Sequence, residues 1–281
     1  MRYAYYPGCT QEGTAREYDR SVREVCRALG IELVEIPGWS CCGASSGHAT
    51  DYWLSHALAG RNLALAERAG LDIAVACPAC FLRLRNTRQE SQREARLQSR
   101  LPSLINMPYE ARYDVRHLLE LICNTVGTER VRERVTQPLL GLRLVAYYGC
   151  YLVRPPELTG FDDPENPQTM DRLLASLGAE VLDWGGKVDC CGGSLSLTNR
   201  EVVTGLVAGI CQAAREVEAE ALVTACPLCQ ANLEARQTGS NRLPVFFFTE
   251  LMGLALGCDA QPWLRRHLLS PFGLLRKHGL C

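Results

Sequence analysis

Two adjacent cysteines followed by glycine, Cys41-Cys42-Gly43, recur as Cys190-Cys191-Gly192, and each pair stands 34 residues ahead of a Cys-Pro-x-Cys run. Those runs are Cys77-Pro78-Ala79-Cys80 and Cys226-Pro227-Leu228-Cys229. A single cysteine precedes each pair, Cys9 in one case and Cys150 in the other, so ten of the fifteen cysteines form two matched sets of five. Thiolates bind soft metals, carry redox chemistry or pair as disulfides. Zinc takes four ligands in a tetrahedron, usually from two pairs spaced as in Cys-x-x-Cys, which is not this pattern. A disulfide framework leaves an odd cysteine per set and strains a ring between neighbours. A thioredoxin-like dithiol suits Cys-Pro-Ala-Cys between a strand and a helix but leaves three cysteines of each set without a role. Neighbouring thiols suit a ligand that offers more than one metal, and thiolates are the ordinary ligands of iron–sulfur clusters. The usual ferredoxin run of closely spaced cysteines is absent.

The elements that must deliver these thiols repeat as well. From the adjacent pair to the Cys-Pro-x-Cys run the two copies stay in register at an offset of 149, and "YYPGC" is echoed by "YYGC". The second copy is longer only before its pair, where "VRPPELTGFDDPENP" reads as a proline-rich insertion. A repeat of this kind fixes the architecture. We divide the chain into a first cysteine-rich unit over residues 1–138 and a second, with a C-terminal tail, over 139–281. "RYAYY" and "RLVAYY" read as strands, as do "IELVEI", "EVLDW", "DIAVA" and "ALVTA". Helical patterns intervene at 15–30, 52–69 and 200–219, and after Asn166-Pro167 as cap and first position. Strands alternating with helices predict an α/β protein of two pseudo-symmetric, Rossmann-like halves with parallel sheets. Loops after parallel strands gather at the carboxyl edge, so five thiols should converge once per half.

With 30 basic and 31 acidic residues there is no electrostatic footprint for nucleic acid. The opening "MRYAYYPGC" lacks a signal-peptide pattern and no run approaches the ~20 apolar residues of a membrane span. A cytoplasmic location is therefore expected. No G-x-G-x-x-G and no P-loop is present, so electrons should come from a partner. Cys26, Cys123, Cys211 and Cys258 read as small buried residues, and Cys281 is terminal. The tail "WLRRHLLSPFGLLRKHGLC" reads first as a closing strap, because Pro271 and Gly273 interrupt a long amphipathic helix; docking a partner or a membrane surface is the other reading.

The doubled motif of a lone cysteine, Cys-Cys-Gly and Cys-Pro-x-Cys is the signature of the CCG, or cysteine-rich, domain. Over its whole length the chain resembles the HdrB family, the B-type subunits of heterodisulfide reductase, and "RNLALAE" at 61–67 and "HLLSPFGLLRKHGL" add to the likeness. The resemblance implies two noncubane [4Fe-4S] clusters, one held by Cys9, Cys41, Cys42, Cys77 and Cys80, the other by Cys150, Cys190, Cys191, Cys226 and Cys229. It implies that the clusters face each other across a cavity where a disulfide is cleaved to two thiols, or formed in reverse. It also implies a ferredoxin-like iron–sulfur partner subunit and, behind it, a flavin subunit. Gly43 and Gly192 would let the backbone approach a cluster or adopt positive φ. His48 and Lys187 are the candidate proton donors. The same residues also resemble the E-type subunit of nonclassical succinate dehydrogenases and fumarate reductases, an electron-transfer or anchor subunit passing electrons to a quinone. The lactate-utilisation CCG proteins fit less well, because both Cys-Pro-x-Cys runs are complete here.

Overall fold

In the computed structural model, which describes residues 1–44 and 47–280, the duplicated sequence folds into two four-stranded parallel sheets of one topology. The first has the order β2-β1-β3-β4, from β1 (Arg2–Tyr6), β2 (Glu32–Glu35), β3 (Ile73–Val75) and β4 (Val115–His117). The second has the order β6-β5-β7-β8, from β5 (Arg143–Tyr147), β6 (Glu180–Val181), β7 (Ala221–Thr224) and β8 (Val245–Phe247). Register matches too. Tyr6 pairs with Val75 and Tyr147 with Thr224, while Val75 pairs with His117 and Thr224 with Phe247. This is the duplicated α/β architecture that the motif spacing predicts.

Local chemistry explains the elements. β3 and β7 are buried along their whole length, as central strands of a parallel sheet must be when helices cover both faces. The Arg16–Leu29 helix stops at Gly30, which takes the left-handed conformation at φ 75°. Asp51 caps the Tyr52–Ala69 helix by accepting from the Leu54 N–H, and Asn199 does the same for Arg200–Glu216 through Val202. One boundary differs from the sequence reading. The helix expected from Asn166-Pro167 begins at Thr169 instead, because Asp162 reaches across from the insertion to accept from the N–H groups of Gln168 and Thr169, 3.0 and 2.7 Å away. The insertion itself forms a short helix, Pro156–Thr159, whose Leu158 carbonyl accepts from Gln89 in the first half at 3.4 Å.

One large core joins the halves. Val22 and Val25 of the Arg16–Leu29 helix share it with Phe246, Leu251 and Trp263. That helix lies against Phe248–Ala255, with the Ser21 and Thr249 hydroxyls 2.7 Å apart and the Tyr18 ring stacked on Phe247 at 4.0 Å. The tail folds back over the same seam as two short helices, Gln261–Leu264 and Phe272–Lys277. Trp263, Leu264 and Leu275 are buried, and among the described tail residues Leu268, 71 % exposed, is the large apolar side chain left open. Among the described residues no helix is long and apolar enough to cross a membrane.

His267 fastens the tail. Its Nδ1 lies 2.7 Å from Glu234 and its Nε2 2.9 Å from Glu250, with all three side chains at most 2 % exposed. Burial opposes the imidazolium, but Glu250 and Glu234 outweigh it and raise its pKa from 6.5 to about 10. Because the folded value lies above the unfolded one, the stabilisation is complete below about pH 6.5 and is lost as pH rises through about 10. We expect His267→Ala to cost about 3–5 kcal/mol at neutral pH, since it strands two buried carboxylates. Urea unfolding of both proteins from pH 6 to 10 checks this: the wild type should lose stability toward pH 10, and the difference between the two should shrink.

Candidate metal centres

Every cysteine of the two sets follows the carboxyl end of a strand, in the loop beyond it or in the first turn of the next helix. β1 ends at Tyr6 and β5 at Tyr147, placing Cys9 and Cys150 three residues beyond. β3 and β7 lead directly to Cys77 and Cys226, each the N-cap of a helix that begins with proline. The fixed φ of that proline turns the second thiol of the run, Cys80 or Cys229, back toward the sheet edge. The adjacent pairs close each nest. Cys42 Sγ lies 3.3 Å from Cys80 Sγ, and Cys191 Sγ 3.4 Å from Cys229 Sγ. On the outer side Cys41 Sγ is 4.0 Å from Cys9 Sγ. Cys42, Cys77, Cys80, Cys191, Cys226 and Cys229 are buried, whereas Cys9, Cys41 and Cys190 are exposed and Cys150 is half-buried. All fourteen described cysteines are free thiols.

The backbone supplies a donor to the exposed member of each adjacent pair. The Gly43 and Gly192 N–H groups both point at the sulfur two residues back, Cys41 and Cys190, at 3.4 Å. Positive φ, 75° at each glycine, produces that turn, and a Cβ would stand 2.7 Å from Leu58 at one and 3.0 Å from Val203 at the other. Hydrogen bonds from Cys41 and Cys80 lower the Cys42 thiol to about 4, and Cys229 lowers Cys191 to about 7. Cys226 and Cys80 hold Cys77 well below the ordinary thiol range. The converse also appears: Cys80 and Cys229 are pushed well above it by their thiolate neighbours and by burial. Within each nest a lowered thiol thus stands beside raised ones, so that negative charge is favoured on Cys42 and Cys77 in the first and on Cys191 in the second. The Tyr18 hydroxyl lies 3.1 Å from the Ala76 carbonyl and 3.0 Å from that of Ala225, the residues directly before Cys77 and Cys226, so the nests adjoin at the seam between the halves. The pocket beside the second nest reflects this, for Pro78 of the first half lines it together with Cys150, Cys190 and Cys229.

The donor set fits a multinuclear thiolate-bound group. Five sulfurs exceed the four of a tetrahedral ion, and thiolates are the ordinary ligands of iron–sulfur clusters.

The other predicted residues separate. His48 lies exposed on a short helix, Gly47–Thr50, that follows the first adjacent pair. Lys187 is buried and engaged: its ammonium meets Asp171 at 2.9 Å, Asp183 at 3.4 Å and the Pro167 carbonyl at 3.3 Å. An ammonium has three protons, and these three acceptors account for them. The geometry therefore gives Lys187 the job of bracing the loop ahead of the second pair. Its carbonyl does the same, accepting from the N–H groups of Tyr148 and Gly149 at 2.8 and 3.1 Å.

Sequence reasoning passed over Tyr6 and Tyr147. The Tyr6 hydroxyl donates to the Ser40 carbonyl at 2.7 Å and the Tyr147 hydroxyl to the Asp189 carbonyl at 2.6 Å, so each fixes the residue directly before an adjacent pair. Burial and the surrounding thiols push both phenols far above the usual range. Gly8 and Gly149 were also missed. The signal for all four lay in the shared "YY…GC" strings, three residues and one residue ahead of the lone cysteines.

Comparison with known proteins agrees with this geometry. Residues 3–85 and 144–234 each match the CCG family, described as "Cysteine-rich domain". The "8-methylmenaquinol:fumarate reductase membrane anchor subunit" of Wolinella succinogenes is 34% identical over 269 residues, covering 92% of this chain and 93% of that protein. The B-type subunit of the ferredoxin/F(420)H(2)-dependent CoB-CoM heterodisulfide reductase of Methanosarcina acetivorans is 28% identical over 91% of this chain and 89% of its own length. An HdrB-like heterodisulfide reductase protein of Archaeoglobus profundus is also 28% identical, with 93% and 92% covered. Among solved structures, a hypothetical protein from Helicobacter pylori superposes with a TM-score of 0.73 over 95% of this chain at 12% identity. That likeness is one of fold, and this chain spans about half of that protein, 51% of its length.

A Cβ at Gly149, where φ is 66°, would lie 3.1 Å from Cys229 Sγ; at Gly8, where φ is 76°, it would lie 3.2 Å from Cys80 Sγ. We expect Gly149→Ala to cost about 1–2 kcal/mol from the left-handed backbone alone. The methyl should also displace the sulfur, so that a thiol reagent labels Cys229 faster than in the wild type. Denaturant unfolding and mass-resolved alkylation measure the two effects.

Proposed function

The chain belongs to the CCG cysteine-rich domain family, as an HdrB-like protein, and on that premise we propose that it is the iron–sulfur subunit of a multisubunit oxidoreductase. In this reading each set of five thiols holds one noncubane [4Fe-4S] cluster, and the subunit reductively cleaves, or in reverse forms, a disulfide. The observation that carries it is the Tyr18 hydroxyl within hydrogen-bond distance of the carbonyls before both Cys77 and Cys226, so that two cysteine-rich sites lie on either side of one seam. When bound, the clusters would supply one electron each and an iron to take up each product sulfur. Cleavage consumes two electrons and two protons and yields two thiols. The protein's own part is to hold both sites rigidly through the Cys-Pro-x-Cys arms and to keep bulk water from the six buried sulfurs. Protons would enter from the exposed side, where His48 follows the first adjacent pair; the Lys187 ammonium is engaged by Asp171, Asp183 and the Pro167 carbonyl. Electrons would arrive from a ferredoxin-like subunit, itself fed by a flavin subunit.

A second reading is favoured by the 34% identity to a fumarate reductase anchor subunit. There the same two sites would exchange electrons with a quinone-type carrier, and no disulfide would be broken.

Reconstituted protein should hold about eight irons, four per cluster. Cys41→Ala and Cys190→Ala should each remove roughly half, by iron assay and visible absorption; full iron in both variants would reject the assignment. Purification of the native complex then separates the readings. Ferredoxin-like and flavin partners with disulfide-dependent oxidation of the reduced protein support the first, and a fumarate reductase flavoprotein with quinol-dependent reduction supports the second.

A further inference from the structure

The two nests are built alike, but their immediate neighbours are not. His117 at the end of β4 and Phe247 at the end of β8 occupy the same register position, opposite Val75 and Thr224. The His117 Nδ1 accepts from the Leu119 N–H at 3.2 Å, so the ring proton is on Nε2, which donates to the Ala76 carbonyl at 2.8 Å. Phe247 can offer nothing to Ala225. A single hydroxyl, that of Tyr18, serves both halves: it lies 3.1 Å from the Ala76 carbonyl and 3.0 Å from that of Ala225. These are the carbonyls directly before Cys77 and Cys226. The asymmetry runs the other way on the far side of the nests. Asn232 donates from Nδ2 to the Cys191 carbonyl at 3.1 Å, with Cys191 Sγ 3.8 Å away, and the first half has Arg83 at the matching position.

We propose that the two metal sites are tuned separately, His117 raising the reduction potential of the site that holds Cys77 and Asn232 that of the site that holds Cys191. A donor that offsets a carbonyl dipole or caps a ligand stabilises the negative charge added on reduction, and so raises the potential. The two potentials are then set by different residues, so that each can be moved without the other. Tyr18 acts on both and cannot distinguish them. The inference rests on the cluster reading above.

The test is a mediated redox titration of the reconstituted full-length chain, followed by electron paramagnetic resonance and with iron measured in every sample. Wild type should show two separate one-electron steps. His117→Phe should move one step to lower potential, Asn232→Leu the other, and His117→Gln, which keeps a donor, should restore the first. Phe247→His supplies the missing donor to Ala225 and should raise the step that Asn232→Leu lowers; it decides the matter if His117→Phe does not fold. A His117 or Phe247 variant with full iron that moves neither step, or both equally, overturns this inference and leaves the cluster reading standing. Wild type without iron overturns both.

Discussion

A sulfur that is to stay ionised away from water must have a hydrogen-bond donor or a cation beside it, and six sulfurs here are at most 6 % exposed. That requirement organises the molecule. It explains why the thiols arrive at strand ends and helix starts, where free N–H groups are available. The positive φ of Gly43 and Gly192 serves the exposed partners, turning a backbone donor toward Cys41 and Cys190. The same requirement explains the lowered thiols at Cys42, Cys77 and Cys191, each partnered by another cysteine whose own proton is held more firmly.

Duplication solves the positioning problem once and uses the solution twice. A parallel sheet of order β2-β1-β3-β4 brings three loops to one edge, and the second copy repeats the arrangement residue for residue. What joins the copies is less regular. The Arg16–Leu29 helix crosses to lie on Phe248–Ala255, the insertion reaches back to Gln89, and the tail is locked by His267 between two carboxylates. These single contacts replace the symmetry that a dimer would have had. The seam therefore carries unequal neighbours on its two sides, His117 against Phe247, although the nests themselves correspond.

Much of this could be read from the chain. The five-and-five grouping of thiols, the parallel α/β halves and the insertion follow from spacing and period, because a fixed offset of 149 survives between the copies. Short elements were harder. β6 has two residues and β4 and β8 three each, too few for a period to show, and the last two were not anticipated at all. The start of the Thr169–Ser176 helix was misplaced because its cap, Asp162, is seven residues upstream in sequence and adjacent only once the insertion has folded. Lys187 looked like a free titratable group because nothing in the string reveals that Asp171 and the Pro167 carbonyl would close over it.

The sequence by itself determined which thiols are the candidate ligands and into how many sets they fall, since ligand spacing and strand-to-loop order are properties of one dimension. Only the tertiary structure decided that the two gathering places adjoin, with Tyr18 spanning the carbonyls before Cys77 and Cys226. The reason is physical. Contacts between residues 18, 76 and 225 depend on how the core packs the halves together, and packing is set by the shapes of many side chains at once. No local pattern encodes it.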